Sequence, residues 1–498
     1  MDSFLLLSLQ MSGQKHFSAL FLLVIFYNFI FAFDTAPHFD LTRSVLHEHG
    51  FNDTTIKIAQ VENWLTDYYS STPTTSKENR ADLEKLHFDN LFTTAEIQNN
   101  WAWLINNLKI ATQKAAKDDK PLEMLAIIGI GLHAAQDFYT HSNWVETHPR
   151  FPDGSFQTAT FLSSTLPTQN LWTGKYPADR KIGFDGKNVP PNAQIHGDYV
   201  NGLNHDSPVR PNWTDAYVFA YVASHELLEL MQKWTNEVNP NFWQKVQQFQ
   251  INQADTKDLE YDLRALKNMS MWIKGKGADG HWKGDKSGFA KFFDTFAPKW
   301  IASKSSIFVK QISEGDLPNQ LSQNLYSSNS APKLPQTNHF SLKKQAIILY
   351  TILIKETDDV ALLEPKIDSG GKADFYPVIT IGGQAYIDRV LQDYSEFENP
   401  WVEIHFADDS ATEIPINFAI FDEDDTDADG RYKDDVCDIN PKSGKTDLDF
   451  RFNLKDGSVS GEINGIFQNK SNVFTSSGAK PDKNRALIKA FVTQFLLR

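Results

Sequence analysis

The sequence predicts an all-α helical domain followed by a β-sandwich, and three observations carry that prediction. From about residue 40 to 300, apolar residues recur at helical spacing with little strand-like alternation. Residues 313–337 (SEGDLPNQLSQNLYSSNSAPKLPQT) concentrate Ser, Asn, Gln and Pro and lose the apolar period, as a linker does. Beyond them, short runs rich in β-branched and aromatic residues are separated by turn residues. The organisation read from this is a signal peptide over 1–32, a helical metal-site domain over 33–305, a linker over 306–340 and a sandwich over 341–498.

Composition bounds the function. At 498 residues, with 41% hydrophobic and 22% charged content, the chain can bury sizeable cores. A formal net charge of −15 offers no basic footprint, which weighs against duplex nucleic acid as a partner unless metals supply the positive charge, and no feature predicts an obligate protein partner. Cys437 is the sole cysteine, which rules out an internal disulfide and any Cys-based zinc site.

In chain order, the apolar run from Ala19 to Phe33, preceded by Lys15 and His16, has the layout of a secretory signal peptide; an uncleaved membrane anchor is the alternative. Sequons at Asn52, Asn212, Asn268 and Asn469 fit export. Thr93-x-x-Glu96 reads as a capping box opening a helix to about Ala116, with Ile97, Trp101, Leu104 and Leu108 on one stripe. Pro121 suits the first turn of the next helix, which is apolar nearly all round from Leu122 to Leu132, as an interior helix would be. Residues 150–212 are rich in Pro, Gly, Asn and Thr and too long for a connector, as expected of a loop that roofs a site. A further helix is predicted from Thr214 to about Val238, and the irregular stretch 274–284 is assigned no chemistry. Strands are predicted over 346–354, 376–381, 402–406, 414–421 and 447–452.

Within the interior helix, His133, Asp137 and His141 recur every four residues and share one face. Two imidazoles and a carboxylate in an apolar setting need a compensating partner, and imidazole with carboxylate suits zinc better than magnesium or calcium. His38, Asp67 and His87 are further candidates to complete such a site, although a residue of this kind taken singly is more often an ordinary surface or capping residue.

Through QDFYTHSNWVE at 136–146, and this order of elements, the region 33–300 resembles the zinc-dependent phospholipase C superfamily, which also contains nucleases for single strands. The nearest likeness is to its heterokaryon-incompatibility (het-C-like) branch, which shares the tight spacing of His141 after Asp137; in the phospholipases that third ligand lies further on. The resemblance implies a helical bundle around two or three zinc ions. The implied ligands are the freed amine and carbonyl of Phe33, then His38, Asp67, His87, His133, Asp137 and His141. The family's later His-x-x-x-Glu pair falls on His225 and Glu229 on helical geometry, with His196 and His205 competing for that role. Asp67 is the candidate to orient or deprotonate the attacking water.

Two carboxylate-rich loops, 368–376 and 421–439, flank strand-like runs. Together they resemble the paired loops of C2-type calcium-dependent lipid-binding domains, which implies calcium on Asp368, Asp374, Asp422, Asp424 and Asp435 and engagement of anionic lipid. The function expected from both halves is a secreted zinc-dependent phosphodiester hydrolase, a phospholipase C acting on membrane phospholipid. A non-catalytic het-C-like membrane-binding protein and a single-strand nuclease are the alternatives.

Overall fold

Apolar patterning from residue 35 onward folds into α1 (Thr35–Glu48), α2 (Asp53–Ser71), α3 (Thr94–Lys117), α4 (Pro121–His141), the short α5 (Trp144–Thr147), α6 (Trp213–Val238) and α7 (Phe242–Gln247). This computed structural model describes residues 35–71, 83–252, 345–357, 373–422 and 434–497, apart from short stretches within 153–209 and at 389–390, 392–394, 464, 469–470, 481 and 483. The apolar run 19–33 with Phe33, the stretch 274–284, the linker 313–337, Asp368 and Asp424 lie outside the described residues. Among the described residues no helix is long and apolar enough to cross a membrane.

Thr93 caps α3: its hydroxyl accepts from Glu96 N, while Glu96 Oε2 accepts from Phe92 N at 2.7 Å. Such a cap contributes about 1 kcal/mol. Helix α4 is the axis of the helical half, and every residue from Met124 to His141 is buried. Its approach to α2 is so close that a Cβ on Gly129 would lie 2.5 Å from Ala59 O and 2.8 Å from Asn63 N. Only glycine lets the two backbones meet there, and that meeting carries Asn63 towards the polar end of α4.

The C-terminal part consists of antiparallel sheets. One has the order β4 (Glu396–Ala407), β1 (Gln345–Glu356), β11 (Ala486–Leu496), β10 (Ser471–Ser477), β9 (Gly465–Gln468). The other runs β3 (Gln384–Ile387), β2 (Phe375–Ile381), β5 (Glu413–Asp422), β7 (Leu448–Asn453), β8 (Val459–Gly461), with β6 (Asp435–Cys437) beside β5. Alternation along β2 and β7 sends one set of side chains into the core between the sheets.

Strand β1 is apolar on both faces because both faces are covered. Ile347 and Leu349 join the core between the sheets, whereas Ala346, Ile348 and Tyr350 join the core of the helical half. Val402, Ile404 and Phe495 extend the second surface. Ring pairs Trp213–Tyr350 (5.4 Å), Tyr221–Phe406 (5.1 Å) and Phe156–Phe495 (5.2 Å) fill the junction. Each fully buried aliphatic or aromatic side chain there contributes about 1.5–3 kcal/mol.

A buried ionic group lies in the same junction. Arg43 on α1 faces Glu403 on β4 at 2.5 Å and Asp388 after β3 at 3.8 Å, and Asp40 Oδ2 accepts from Val402 N at 3.3 Å. Helix α1 therefore serves two neighbours, with Asp40 and Arg43 turned to the sheet and His38 to the interior of the bundle.

Candidate metal centre

Three groups of buried side chains converge in the helical half, each with ligand atoms within 4.8 Å of one another: His38, His133 and Asp137; Asp67, His87 and His133; Asp89, His141 and His196. The backbone explains the convergence. His133, Asp137 and His141 descend one face of α4, α1 brings His38, and α2 brings Asp67. His87 and Asp89 both turn inward because Phe88 (φ 52°) and Asn90 (φ 63°) adopt left-handed backbone between helical turn and loop. For a buried aromatic residue this strain is of order 1–3 kcal/mol, a mark of a site whose geometry is held by its surroundings.

The roof expected over residues 150–212 supplies His196 and Asp206. Gly174 N donates to His141 O at 2.9 Å, and a Cβ at Gly174 would lie 2.4 Å from His196 Cα, so only glycine admits that close approach. His141 Nε2 then lies 3.3 Å from Asp206 Oδ1, and His196 Nε2 lies 3.5 Å from Asp206 Oδ2.

Asp137 is the hub. His38 Nε2 reaches its Oδ1 at 2.8 Å, while His87 Nδ1 and His133 Nε2 reach its Oδ2 at 2.7 and 3.1 Å. Burial works against this carboxylate, yet His133, His141 and His38 hold it well below the ordinary range. Burial also opposes charge on His141 and His87, but the surrounding carboxylates, Asp137 foremost, raise both. His133 is lowered, by burial and by His38 beside it. Burial pushes Asp89 up, whereas His141 draws Asp206 down despite its burial.

The proton inventory favours a cation. A neutral imidazole donates from one nitrogen only. His38 Nδ1 meets Gln136 Oε1 at 2.6 Å, His133 Nδ1 meets Asn63 Oδ1 at 3.3 Å, and His141 Nδ1 meets His87 O at 2.6 Å. In each ring the Nε2 atom also faces a carboxylate, and His133 Nε2 lies 3.2 Å from His87 Nδ1. Either several imidazolium ions crowd one closed volume, or neutral rings direct their Nε2 lone pairs at divalent cations shared with Asp137 and its neighbours. The second arrangement would relieve that crowding of charge, and a donor set of imidazole and carboxylate is one that zinc accepts.

Of the residues expected from the sequence, His38, Asp67, His87, His133, Asp137 and His141 meet here. His225 and Glu229 are set apart from them. Ser224 faces Gln136 across the bundle, and the next residue on the helix points about 100° away, so His225 lies against Glu48 (3.2 Å) and His49 (2.9 Å) instead. Glu229 follows one turn later on that side and is raised by burial. His196, the competing residue, is the one beside His141; His205 pairs with Glu146 at 3.0 Å. Asp89 and Asp206 are additions that the sequence does not single out. Their signal is local only, an Asp two residues after His87 and one directly after His205.

In the sheet half, Asp374, Asp422 and Asp435 gather at one end of the second sheet. Asp374 N donates to Asp422 Oδ1 at 2.5 Å, and Asp422 is paired across the ladder with Asp435. Asp434 joins them by accepting from Tyr376 Oη at 2.5 Å.

No protein-family model matches the chain, and no curated protein matches it. The resemblance to the zinc-dependent phospholipase C superfamily therefore rests on the sequence motif alone. Solved structures similar to part of the chain include human GIVD cytosolic phospholipase A2 (12% identity, TM-score 0.19, 31% of this chain and 17% of that one). They also include a C2 domain (12%, 0.19, 30% and 99%) and the tandem C2 domains of extended-synaptotagmin 2 (15%, 0.20, 34% and 46%). The chain thus spans about a sixth of the phospholipase A2 chain and under half of the extended-synaptotagmin 2 chain that holds its two C2 domains.

Proposed function

We propose that the protein is a secreted zinc-dependent phosphodiester hydrolase, of phospholipase C type, whose sheet half binds calcium and lipid and brings the helical half to membrane phospholipid. The observation that carries the reading is the buried convergence of His38, Asp67, His87, Asp89, His133, Asp137, His141 and His196 on one volume. Zinc held by these residues supplies Lewis-acid activation of water and offsets charge on a phosphodiester. The chain's own contributions are positional and protolytic. Amide and carbonyl oxygens fix the three α4 and α1 imidazoles, and Asp67, buried with its Oδ1 3.9 Å from His133 Nε2, is the residue assigned to orient the attacking water or take its proton. The gathering of Asp374, Asp422 and Asp435 supports a calcium site at the sheet end, where calcium would reverse the negative potential and admit anionic headgroups.

Zinc content of the purified protein, followed by phosphatidylcholine hydrolysis with and without chelator, tests the enzyme. Two or three zinc ions and chelator-sensitive release of phosphocholine are expected. Bound zinc without turnover of phospholipid or single-stranded nucleic acid would transfer the reading to a non-catalytic membrane-binding protein. Asp422→Asn is expected to lower calcium-dependent binding to phosphatidylserine vesicles at least tenfold while leaving zinc content unchanged; undiminished binding refutes the calcium site.

A further inference from the structure

The side chain between the metal-facing residues of α4 is neither apolar nor a ligand. Gln136 is fully buried one residue before Asp137 and touches three other helices. Its Oε1 accepts from His38 Nδ1 (2.6 Å) on α1 and from Asn63 Nδ2 (3.2 Å) on α2. Its Nε2 donates to Thr42 Oγ1 (3.3 Å) on α1 and Ser224 Oγ (3.3 Å) on α6.

The order of protons along this network is determined. Ser224 commits its single hydroxyl hydrogen to Ala220 O at 2.7 Å, so towards Gln136 it can only accept. The amide must therefore turn its nitrogen to Ser224 and its oxygen to His38. A neutral His38 must then carry its hydrogen on Nδ1, which leaves Nε2 as an electron-pair donor aimed at the Asp137 side of the centre. Asn63 repeats the logic one turn away: its Nδ2 is committed to Thr42 Oγ1 (3.1 Å) and Gln136, which turns its oxygen to His133 Nδ1.

We infer that Gln136 is a positioning residue that sets the tautomer of His38, through a proton chain anchored at Ser224, so that His38 Nε2 holds one metal ion of the cluster. This rests on the metal-centre reading above. Outer hydrogen bonds of this kind typically carry about a 10–100-fold effect on metal affinity.

The test uses the full chain stripped of metal and titrated with cobalt(II) and zinc(II), with the number of ions, the affinity of each and the cobalt absorption spectrum as readouts. Gln136→Met, which keeps volume and loses the acceptor, is expected to weaken one ion by about 10–100-fold and to remove its share of the cobalt spectrum. Gln136→Glu, which still accepts from His38, is expected to retain that ion. Ser224→Ala, a milder change, is expected to weaken the same ion by a smaller factor, and it serves should Gln136→Met not fold. His38→Ala identifies the ion concerned. If Gln136→Met and Ser224→Ala bind every ion as the wild type does, or if Gln136→Glu loses the ion as completely as Gln136→Met, the inference is overturned while the metal centre stands. A wild-type chain that takes up no metal overturns both.

Discussion

Replacing Arg43 by Met should destabilise the protein far more than the loss of one surface charge would. The guanidinium is enclosed between α1 and the first sheet, its side chain 13% exposed and those of Glu403 and Asp388 1% and 0% exposed. At 3.8 Å and an effective dielectric constant of 20, its attraction to Asp388 alone is about 4 kcal/mol, and the hydrogen-bonded Glu403 contributes more. Desolvation of the ions offsets much of this in the intact network. Methionine would preserve the packing of the stem but strand the carboxylates of Glu403, Asp388 and Asp40 in the junction, and breaking a buried pair in that way costs about 3–5 kcal/mol. Urea denaturation of the metal-free protein above about pH 9, where Glu403 is ionised in the folded protein, followed by far-ultraviolet circular dichroism, measures it. The double variant Arg43→Met, Glu403→Gln should recover a substantial part, because it removes one of the stranded charges. A loss below about 1 kcal/mol in Arg43→Met, or no recovery in the double variant, would refute the argument that charge balance governs this junction.

Two further predictions concern the same framework. Burial, opposed by Arg43 and reinforced by Asp388, pushes Glu403 up to about 8 from an ordinary 4.5. The folded protein therefore holds a proton there that the unfolded chain releases, so this contribution is full below about 4.5 and is lost as pH rises through about 8; Glu403→Gln should flatten the fall in melting temperature over that window, and an unchanged slope would contradict the assignment. Gly129→Ala would force a methyl group against Ala59 O and Asn63 N, both backbone atoms, for a loss of about 1–3 kcal/mol in thermal unfolding and a weakened His133 site; a variant as stable as the wild type would show that α2 and α4 can separate freely.

The helical elements are legible in the sequence because their signals are local. The Thr93/Glu96 box marks the start of α3, and the helix read from Thr214 runs from Trp213 to Val238. Convergence of His133, Asp137 and His141 follows from four-residue spacing alone. What escapes such a reading is whatever depends on long-range placement. His196, Asp89 and Asp206 are brought in by loops whose course is set by the Gly174 contact and by left-handed backbone at Phe88 and Asn90. Helical geometry favours His225 because a helix can carry a His-x-x-x-Glu pair, but periodicity states which residues share a face and not which way that face is turned. In the sheets, β1, β2, β4, β5 and β7 are visible as apolar runs. Strand β11 is harder to see although Ala486, Ile488, Ala490 and Val492 alternate in it. Its place beside β1 is set by pairing between distant parts of the chain, as of Gln345 with Leu496, and by a register shift between Thr351 and Leu353.

The double-sided burial of β1 bears on how the protein can be taken apart. A stretch resembling a linker invites cutting the chain between residues 306 and 340 to study the two halves as cassettes. Severed there, the C-terminal piece would present Ala346, Ile348, Tyr350, Val402, Ile404 and Phe495 to water as one contiguous apolar sheet face, and the helical piece would present the matching surface around Trp213 and Tyr221. Each fragment would be prone to self-association, and a lipid-binding measurement on the isolated sheet piece would report that uncovered face as readily as any calcium-dependent contact.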